Sequence, residues 1–163
     1  MTNNLELAQE LKVLKQKLQV LEDKEAIRDL LARYCYSADF NRTDAFLDLW
    51  TEDSTFDVVE EWGGPRKGKE QIRHLLNEQP QQVAINNRSQ HLMLDLLIKV
   101  DGDTATATGY CVVNVRWQGG FGLFRCSVRN FRLRRVNGRW LVHETATRLI
   151  GEPESSSIIS PDL

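Results

Sequence analysis

One stretch decides the fold: residues 91–149 read HLMLDLLIKVDGDTATATGYCVVNVRWQGGFGLFRCSVRNFRLRRVNGRWLVHETATRL. Alternation of apolar and polar residues predicts four long strands here. They are expected at about 91–101, 104–118, 121–136 and 139–149. Turn residues separate them at Asp101-Gly102-Asp103, Gln118-Gly119-Gly120 and Asn137-Gly138. Because Asn-Gly between alternating segments is the strongest short hairpin signal, the stretch predicts an antiparallel meander.

The residues before the meander predict helices. No proline or glycine interrupts the pattern from Leu5 to about Phe40. Further helices are expected at about 44–50 and 69–77, a first strand at 54–59 and a loop at 62–68. Helices followed by antiparallel strands indicate the α+β class. We therefore expect a curved, mostly antiparallel sheet wrapped around the N-terminal helices and enclosing an apolar pocket for a ligand.

The first helix carries two apolar stripes. Its N-terminal part has a leucine seam with alternating spacings of four and three, the a and d positions of a heptad. The seam consists of Leu7, Leu11, Leu14, Leu18 and Leu21. From Ile27 to Ala38 a second stripe follows helical spacing and is expected to face the core. Just over two heptads is short for a free coiled coil, so the arm is expected to pack on its own domain or on a second copy, in a dimer or trimer.

Composition limits the function classes. A chain of 163 residues fits one domain, here divided into an N-terminal helical arm (1–22), a domain (23–150) and a C-terminal tail (151–163) that looks flexible. With 21 Lys and Arg against 23 Asp and Glu, no basic footprint for nucleic acid is present. No apolar run is long enough for a membrane span, and no secretory signal is visible. Three widely spaced cysteines suit a reducing cytoplasm, the expected location.

Five segments together resemble a known family. They are Leu21–Tyr34, Leu47–Asp53, Lys67–Ile72, His91 with the following Val100–Ala107, and Asn137–Trp140. In this order the chain is similar to the SnoaL-like branch of the nuclear transport factor 2-like superfamily, over about residues 5–150. The resemblance implies a cone-shaped α+β fold, in which a strongly bent sheet surrounds an apolar pocket.

The resemblance also implies a range of activities. Members of that superfamily include scytalone dehydratase, bile acid 7α-dehydratase, hexachlorocyclohexane dehydrochlorinase, steroid isomerase and polyketide cyclases. It therefore suggests a cofactor-independent lyase or isomerase, dehydratase-like, acting on an apolar cyclic or aromatic small molecule. Two alternatives stay open, because a fold hosts more than one function. One is a non-catalytic small-molecule-binding protein, and the other is the small (beta) subunit of an aromatic-ring-hydroxylating dioxygenase.

Three residues are the candidate catalytic groups. In the dehydratase-like members a histidine at the position of His91 is the general base, a role that suits its near-neutral pKa. An aspartate at the position of Asp39 orients that histidine, and a tyrosine at the position of Tyr34 donates to the ligand. Each has a plainer alternative: a histidine bonded at a strand start, a solvated aspartate beside a turn, and a core tyrosine bonded to a neighbour.

Five further residues are candidates for contacting the substrate. His143 and Thr145 alternate along the last strand, and the resemblance favours an inward direction for both, with a His143 outside the sheet as the alternative. The other three are Asn114, Phe56 and Val58. Four arginines are expected at a solvated sheet edge or interface rather than at an anion site: Arg129, Arg132, Arg134 and Arg135. Histidines at 74, 91 and 143 lack metal-ligand spacing, so neither a metal nor a cofactor is expected.

Overall fold

A computed structural model describes residues 2–58, 64–78, 88–117 and 119–159, with side chains from residue 4 onward. Three helices are α1 (Thr2–Asp39), α2 (Thr43–Leu47) and α3 (Gly68–Asn77). Six strands are β1 (Trp50–Asp57), β2 (Arg66–Lys67), β3 (Ser89–Asp101), β4 (Thr104–Trp117), β5 (Gly120–Val136) and β6 (Arg139–Leu149). A short 3-10 turn follows at Pro153–Ser156, within the tail expected to be flexible.

The six strands form one curved, unclosed sheet in the order β2-β1-β6-β5-β4-β3. All neighbouring strands run antiparallel except β1 and β6, which run parallel. Helix α1 packs mainly on β3, and α3 packs on β1. The prediction of an α+β fold with a curved, mostly antiparallel sheet around N-terminal helices is confirmed.

Turn chemistry sets the strand boundaries of the meander. Asn137 and Gly138 both have positive φ angles, 50° and 77°, and Val136 pairs with Arg139 across them. Positive φ at both central residues is what a type I′ hairpin turn requires. The turn at Asp101-Gly102-Asp103 likewise joins β3 to β4, whereas Gln118, in the predicted second turn, lies outside the described residues.

A bulge in β3 bends the sheet over α1. Asp95 has φ 51°, and the pairing with β4 shifts between Leu94 and Leu97. On β4, Gly109 lies so close that an added Cβ would be 2.6 Å from the carbonyl oxygen of Leu94. Since a bulge sharpens the local twist and bend of its strand, this close approach of backbones helps to give the sheet its curvature.

The region after α2 differs from the prediction. The helix expected at 44–50 ends at Leu47, and β1 begins at Trp50 instead of residue 54. Here the carbonyl of Leu49 accepts a hydrogen bond of 2.8 Å from the amide of Val142, and Trp50 pairs with the same residue. A distant strand therefore overrides the local helical pattern. Residues 66–67 of the predicted loop form β2, while residues 59, 62 and 63 lie outside the described residues.

The core lies between α1 and the inner face of the sheet. An aromatic cluster fills its centre, with ring centroids separated by 4.6 Å for Tyr34 and Phe46 and by 5.5 Å for Tyr34 and Phe131. Helix α1 enters the core at Asp23, which is buried and accepts a hydrogen bond of 2.6 Å from Arg135. Residues 4–22 of the arm are all exposed. Within the described residues, no helix is both long and apolar enough to cross a membrane.

Candidate active site

Asp39 ends α1 directly beside the start of β3. A carboxylate is disfavoured at the C-terminal end of a helix because the helix dipole is negative there. Strand β3 compensates with three hydrogen bonds from two donors. The backbone amide of His91 donates to both carboxylate oxygens, at 3.1 and 2.9 Å, and the Ser89 hydroxyl donates to Oδ1 at 2.8 Å. The carboxylate is thus held rigidly at the junction of α1 and β3.

The His91 imidazole completes this cluster. Its Nδ1 lies 2.6 Å from Oδ1 of Asp39, and both side chains are only 9% exposed. Because the carboxylate is an acceptor, Nδ1 carries the hydrogen and Nε2 keeps its lone pair. No group in the described part of the chain hydrogen-bonds to Nε2. The pair is therefore an oriented imidazole with one nitrogen whose lone pair can accept a proton.

The electrostatic surroundings keep His91 neutral. Burial is the main reason why the pKa of His91 lies below the ordinary histidine value, and it outweighs the opposing effect of Asp39. The positive charges of Arg129 and Arg125 lower that pKa further. The base form of the imidazole is consequently the one present at neutral pH.

Arg129 is a functional candidate that the sequence prediction missed. Its side chain is buried on the inner face of β5, not on a solvated edge as expected, with 2% exposure. Nη1 donates to the hydroxyl oxygen of Tyr34 at 2.7 Å, and Nε donates to that of Thr147 at 2.8 Å. Both partners are neutral, and no carboxylate among the described residues pairs with this guanidinium. The interior thus contains a cation beside the aromatic rings of Tyr34, Phe56 and Phe131, at 5.4, 5.8 and 5.9 Å.

The inward direction of Arg129 has a signal in the sequence. Side chains two residues apart on a strand share a face, and Phe131 and Leu133 are obvious core residues. Counting back in steps of two from these positions places Arg129 and Arg125 on the inner face. Arg125 is indeed buried as well.

Tyr34 presents a protonated phenol to this interior. Burial raises the pKa of Tyr34 to about 12, against a smaller opposing effect of the Arg129 charge. Since Arg129 donates to the phenol oxygen, the hydroxyl hydrogen remains for another acceptor, and none of the described residues provides one. The geometry leaves a hydrogen-bond donor, polarised by an arginine, in the same interior as His91.

The other sequence-predicted residues divide between the two faces of the sheet. Phe56 and Val58 are buried in the inner core. Thr145 is buried opposite Phe131, and its hydroxyl donates to the Asn130 carbonyl at 3.0 Å. Asn114 does not join them. It pairs with Gln90, one residue before His91, and alternation therefore places it on the opposite face.

His143 is the second correction, because it does not share a face with Thr145. The pairing of β5 with β6 shifts between Arg132 and Leu133, which inserts an extra residue and reverses the alternation at this point. His143 lies on the outer side, where Nδ1 is 3.1 Å from the Thr51 hydroxyl and Nε2 is 2.6 Å from Nη2 of Arg134. The inward direction expected for His143 is therefore not observed, and the alternative, a histidine outside the sheet, is the arrangement found.

Other reactive side chains do not extend the site. Cys35 and Cys111 are buried free thiols, and burial raises the pKa of Cys35 to about 12. A thiol that stays protonated is a poor nucleophile. Among the residues that the structure describes, no three His, Cys, Asp or Glu side chains lie close enough together to hold a metal ion.

The fold is shared with solved structures of other proteins, among them the following three. A protein similar to nuclear transport factor 2, with a cystatin-like fold, from Novosphingobium aromaticivorans has a TM-score of 0.82 and 31% identity, over 90% of this chain and 95% of its own. A protein of unknown function from Mycobacterium tuberculosis has a TM-score of 0.70 and 24% identity, over 85% and 83%. A candidate scytalone dehydratase from Novosphingobium aromaticivorans has a TM-score of 0.67 and 17% identity, over 79% and 85%.

Sequence comparison identifies the family. A search of curated protein sequences finds no match. A model of the SnoaL-like domain, however, matches residues 19–146, which include α1 from its last exposed turn and nearly all of the sheet. With this match, and with the fold shared at 31% identity, the chain belongs to the SnoaL-like family, within the nuclear transport factor 2-like fold.

Proposed function

We propose that this protein is a cofactor-independent lyase or isomerase, in which His91 removes a proton from carbon next to a carbonyl group. The observation that carries the proposal is the contact of 2.6 Å between Nδ1 of His91 and Asp39. A carboxylate behind an imidazole selects the tautomer and stabilises the imidazolium that forms when the base accepts a proton. A protein that only binds a ligand needs no such arrangement.

The proton transfer would follow from the groups around the dyad. Nε2 of His91 takes the proton, and the electron pair of the broken C–H bond moves to the carbonyl oxygen of the substrate. Tyr34 donates its hydroxyl hydrogen to that developing oxyanion, while Arg129 polarises the phenol. Preorganised donors of this kind lower the barrier where negative charge develops. The two atoms that would act, Nε2 of His91 and the hydroxyl hydrogen of Tyr34, have no other hydrogen-bond partner among the described residues.

In the elimination reaction the electron pair then returns and expels a hydroxyl group from the neighbouring carbon. The hydroxyl leaves as water after taking the proton from the His91 imidazolium, so the enzyme returns to its starting state. Isomerisation differs only in that the imidazolium returns the proton to another carbon. The aromatic and aliphatic side chains around Tyr34, such as Phe56 and Val58, favour a substrate that is mostly apolar and cyclic or aromatic.

Solvent deuterium exchange tests the proposed base without requiring knowledge of the natural substrate. The purified protein is incubated in D₂O with cyclic aryl ketones, such as 1-indanone and 1-tetralone, and with their β-hydroxy derivatives. Proton NMR follows exchange next to the carbonyl, and ultraviolet absorbance follows any conjugated enone formed by loss of water. We expect exchange by the wild type and a loss of about 10²–10⁴-fold in His91→Asn, the usual contribution of a general base.

His143→Asn is the matched control, since this histidine lies on the outer face of the sheet. Equal losses in the two histidine variants would contradict the assignment of the base. A panel in which ketones bind with no exchange would contradict catalysis and indicate a binding protein of the same fold.

A further inference from the structure

The N-terminal half of α1 is exposed to solvent along its whole described length. Residues 4–22 are all exposed, and the five leucines of the leucine seam are between 52% and 63% exposed. In proteins most of the stability of a helix comes from packing of its apolar face. The expectation that the arm packs on its own domain is therefore excluded, and a partner for the seam is needed.

The seam points away from the protein body. At 100° per residue, the mean direction of the seam lies roughly 160° from that of the core stripe formed by Ile27, Leu30, Leu31, Tyr34 and Ala38. Those five residues are buried against the sheet. Two copies that met along their seams would therefore hold their domains on opposite outer sides, without collision.

Charges beside the seam favour a second copy in one orientation. With the leucines at a and d, Glu10 and Lys17 take g positions, and Lys15 and Glu22 take the e positions that follow. In a parallel, in-register pair each g residue faces the next e residue of the other helix. Glu10 then faces Lys15, and Lys17 faces Glu22, so all four contacts of the pair are attractive. An antiparallel pair centred on Gln16 would bring Lys15 against Lys15 and Lys17 against Lys17.

We propose that the arms of two copies of this protein form a parallel, in-register coiled coil along the leucine seam. The seam ends at Leu21, just before α1 enters the core at Asp23. The next core position of the heptad after Leu21 is the a position at Glu25, whose carboxylate pairs with Arg28 of its own helix at 3.1 Å. The interface is consequently confined to the arm and leaves both His91 sites untouched.

Cysteine cross-linking tests the orientation. Leu7→Cys and Leu21→Cys occupy two d positions that lie about 21 Å apart along a helix. A disulfide needs Cα atoms within about 7 Å, so each single variant cross-links to itself only in a parallel, in-register pair. We expect covalent dimers from both variants under mild oxidation. Gln16→Cys, at an f position on the far side of the helix, and the wild type are the controls without cross-links.

Absence of cross-links in both single variants overturns the proposal. Cross-links that form only when the Leu7→Cys and Leu21→Cys proteins are mixed indicate an antiparallel pair and overturn it too.

Light scattering tests the strength and size of the assembly. The wild type should have twice the 18.8 kDa chain mass at micromolar concentration. Leu14→Asp should weaken the dimer at least tenfold, whereas Gln16→Asp on the same turn should not. Lys15→Glu should weaken it several-fold, and the double variant E10K/K15E should restore it by reversing both charges. Three results overturn the proposal: a dimer that Leu14→Asp leaves unchanged, a trimer, or a wild type that is monomeric. An unchanged thermal unfolding midpoint of the domain shows that each variant is folded.

Discussion

Replacement of Asp39 by asparagine should inactivate the base while preserving the fold. The carboxylate accepts from three donors: the backbone amide of His91, the hydroxyl of Ser89 and Nδ1 of His91. An asparagine offers one acceptor oxygen and one donor NH₂ group in the same space. One of the two oxygen positions must therefore receive the NH₂ group, and the donors around it decide which.

The backbone amide of His91 cannot become an acceptor, so the asparagine oxygen stays at the Oδ2 position, 2.9 Å from it. The NH₂ group then takes the Oδ1 position and faces Ser89 and Nδ1 of His91. A hydroxyl can rotate to accept, and an imidazole can change tautomer. His91 would then carry its hydrogen on Nε2 and lose the lone pair that removes the proton.

The activity loss expected for Asp39→Asn is about 10³–10⁴-fold, because the same change in the serine-protease triad costs about 10⁴ through the wrong tautomer. Stability should change far less. The His91 amide loses its 3.1 Å bond to Oδ1 but keeps its 2.9 Å bond to the other oxygen position, and the remaining charge-assisted bonds become neutral ones, a difference of about 1–2 kcal/mol.

Two measurements check this prediction. The rate of deuterium exchange gives the activity, and ¹⁵N NMR of the imidazole gives the tautomer, with Nδ1–H expected in the wild type and Nε2–H in the variant. Asp53→Asn is the control, since Asp53 is an exposed carboxylate beside His143 on the outer face. Activity within tenfold of the wild type, or an Nδ1–H tautomer in the variant, would refute the reasoning.

Three further predictions follow from the same structure. Because burial lowers the pKa of His91, the unfolded chain binds more protons than the native one just below about pH 6.5, and the free energy of unfolding should fall as the pH drops below that value. Denaturant unfolding at pH 5–7.5 should show a weaker pH dependence of this free energy in His91→Asn than in the wild type. Equal pH dependence in the two proteins would contradict the prediction. Tyr34→Phe should lower the exchange rate about 10²-fold. It should also lower the free energy of unfolding by about 1–3 kcal/mol, because the buried Arg129 donor loses its acceptor. Tyr110→Phe, at an exposed tyrosine, should change neither quantity. Gly109→Ala should destabilise the domain by about 1–3 kcal/mol in chemical unfolding, since its Cβ would lie 2.6 Å from the backbone oxygen of Leu94; an unchanged midpoint would show that the bulge adapts.

Local signals were sufficient for most of the fold. Turn residues such as Asn137-Gly138 mark strand ends through a backbone conformation that few other residues adopt, so β3 to β6 begin and end close to the predicted positions. The juxtaposition of Asp39 and His91 was expected only from the family resemblance. It depends on the docking of α1 on β3, which no local pattern of residues encodes.

The errors arose where a distant contact changes a local pattern. Trp50 reads as the end of an amphipathic helix, but its pairing with Val142 makes it the start of a strand. His143 lies beside a bulge, and one inserted residue turns its side chain to the other face of the sheet. Arg129 is predicted at a solvated edge or interface together with Arg132, Arg134 and Arg135, although simple alternation with Phe131 indicates the inner face, where it lies.

The parallel pairing of β1 with β6 has a consequence for the folding pathway. Thr51 and His143, which meet across it, are 92 positions apart in the chain, whereas the β4–β5 and β5–β6 hairpins need only short loops. Loop-closure entropy favours early formation of the hairpins and late arrival of β1. Asp39 lies 52 positions before His91 and on the same late-arriving N-terminal side. Nascent or partly folded chains should therefore contain much of the sheet but lack the contact of His91 with Asp39 until the amino-terminal segment docks, so the proposed activity would report the last step of refolding.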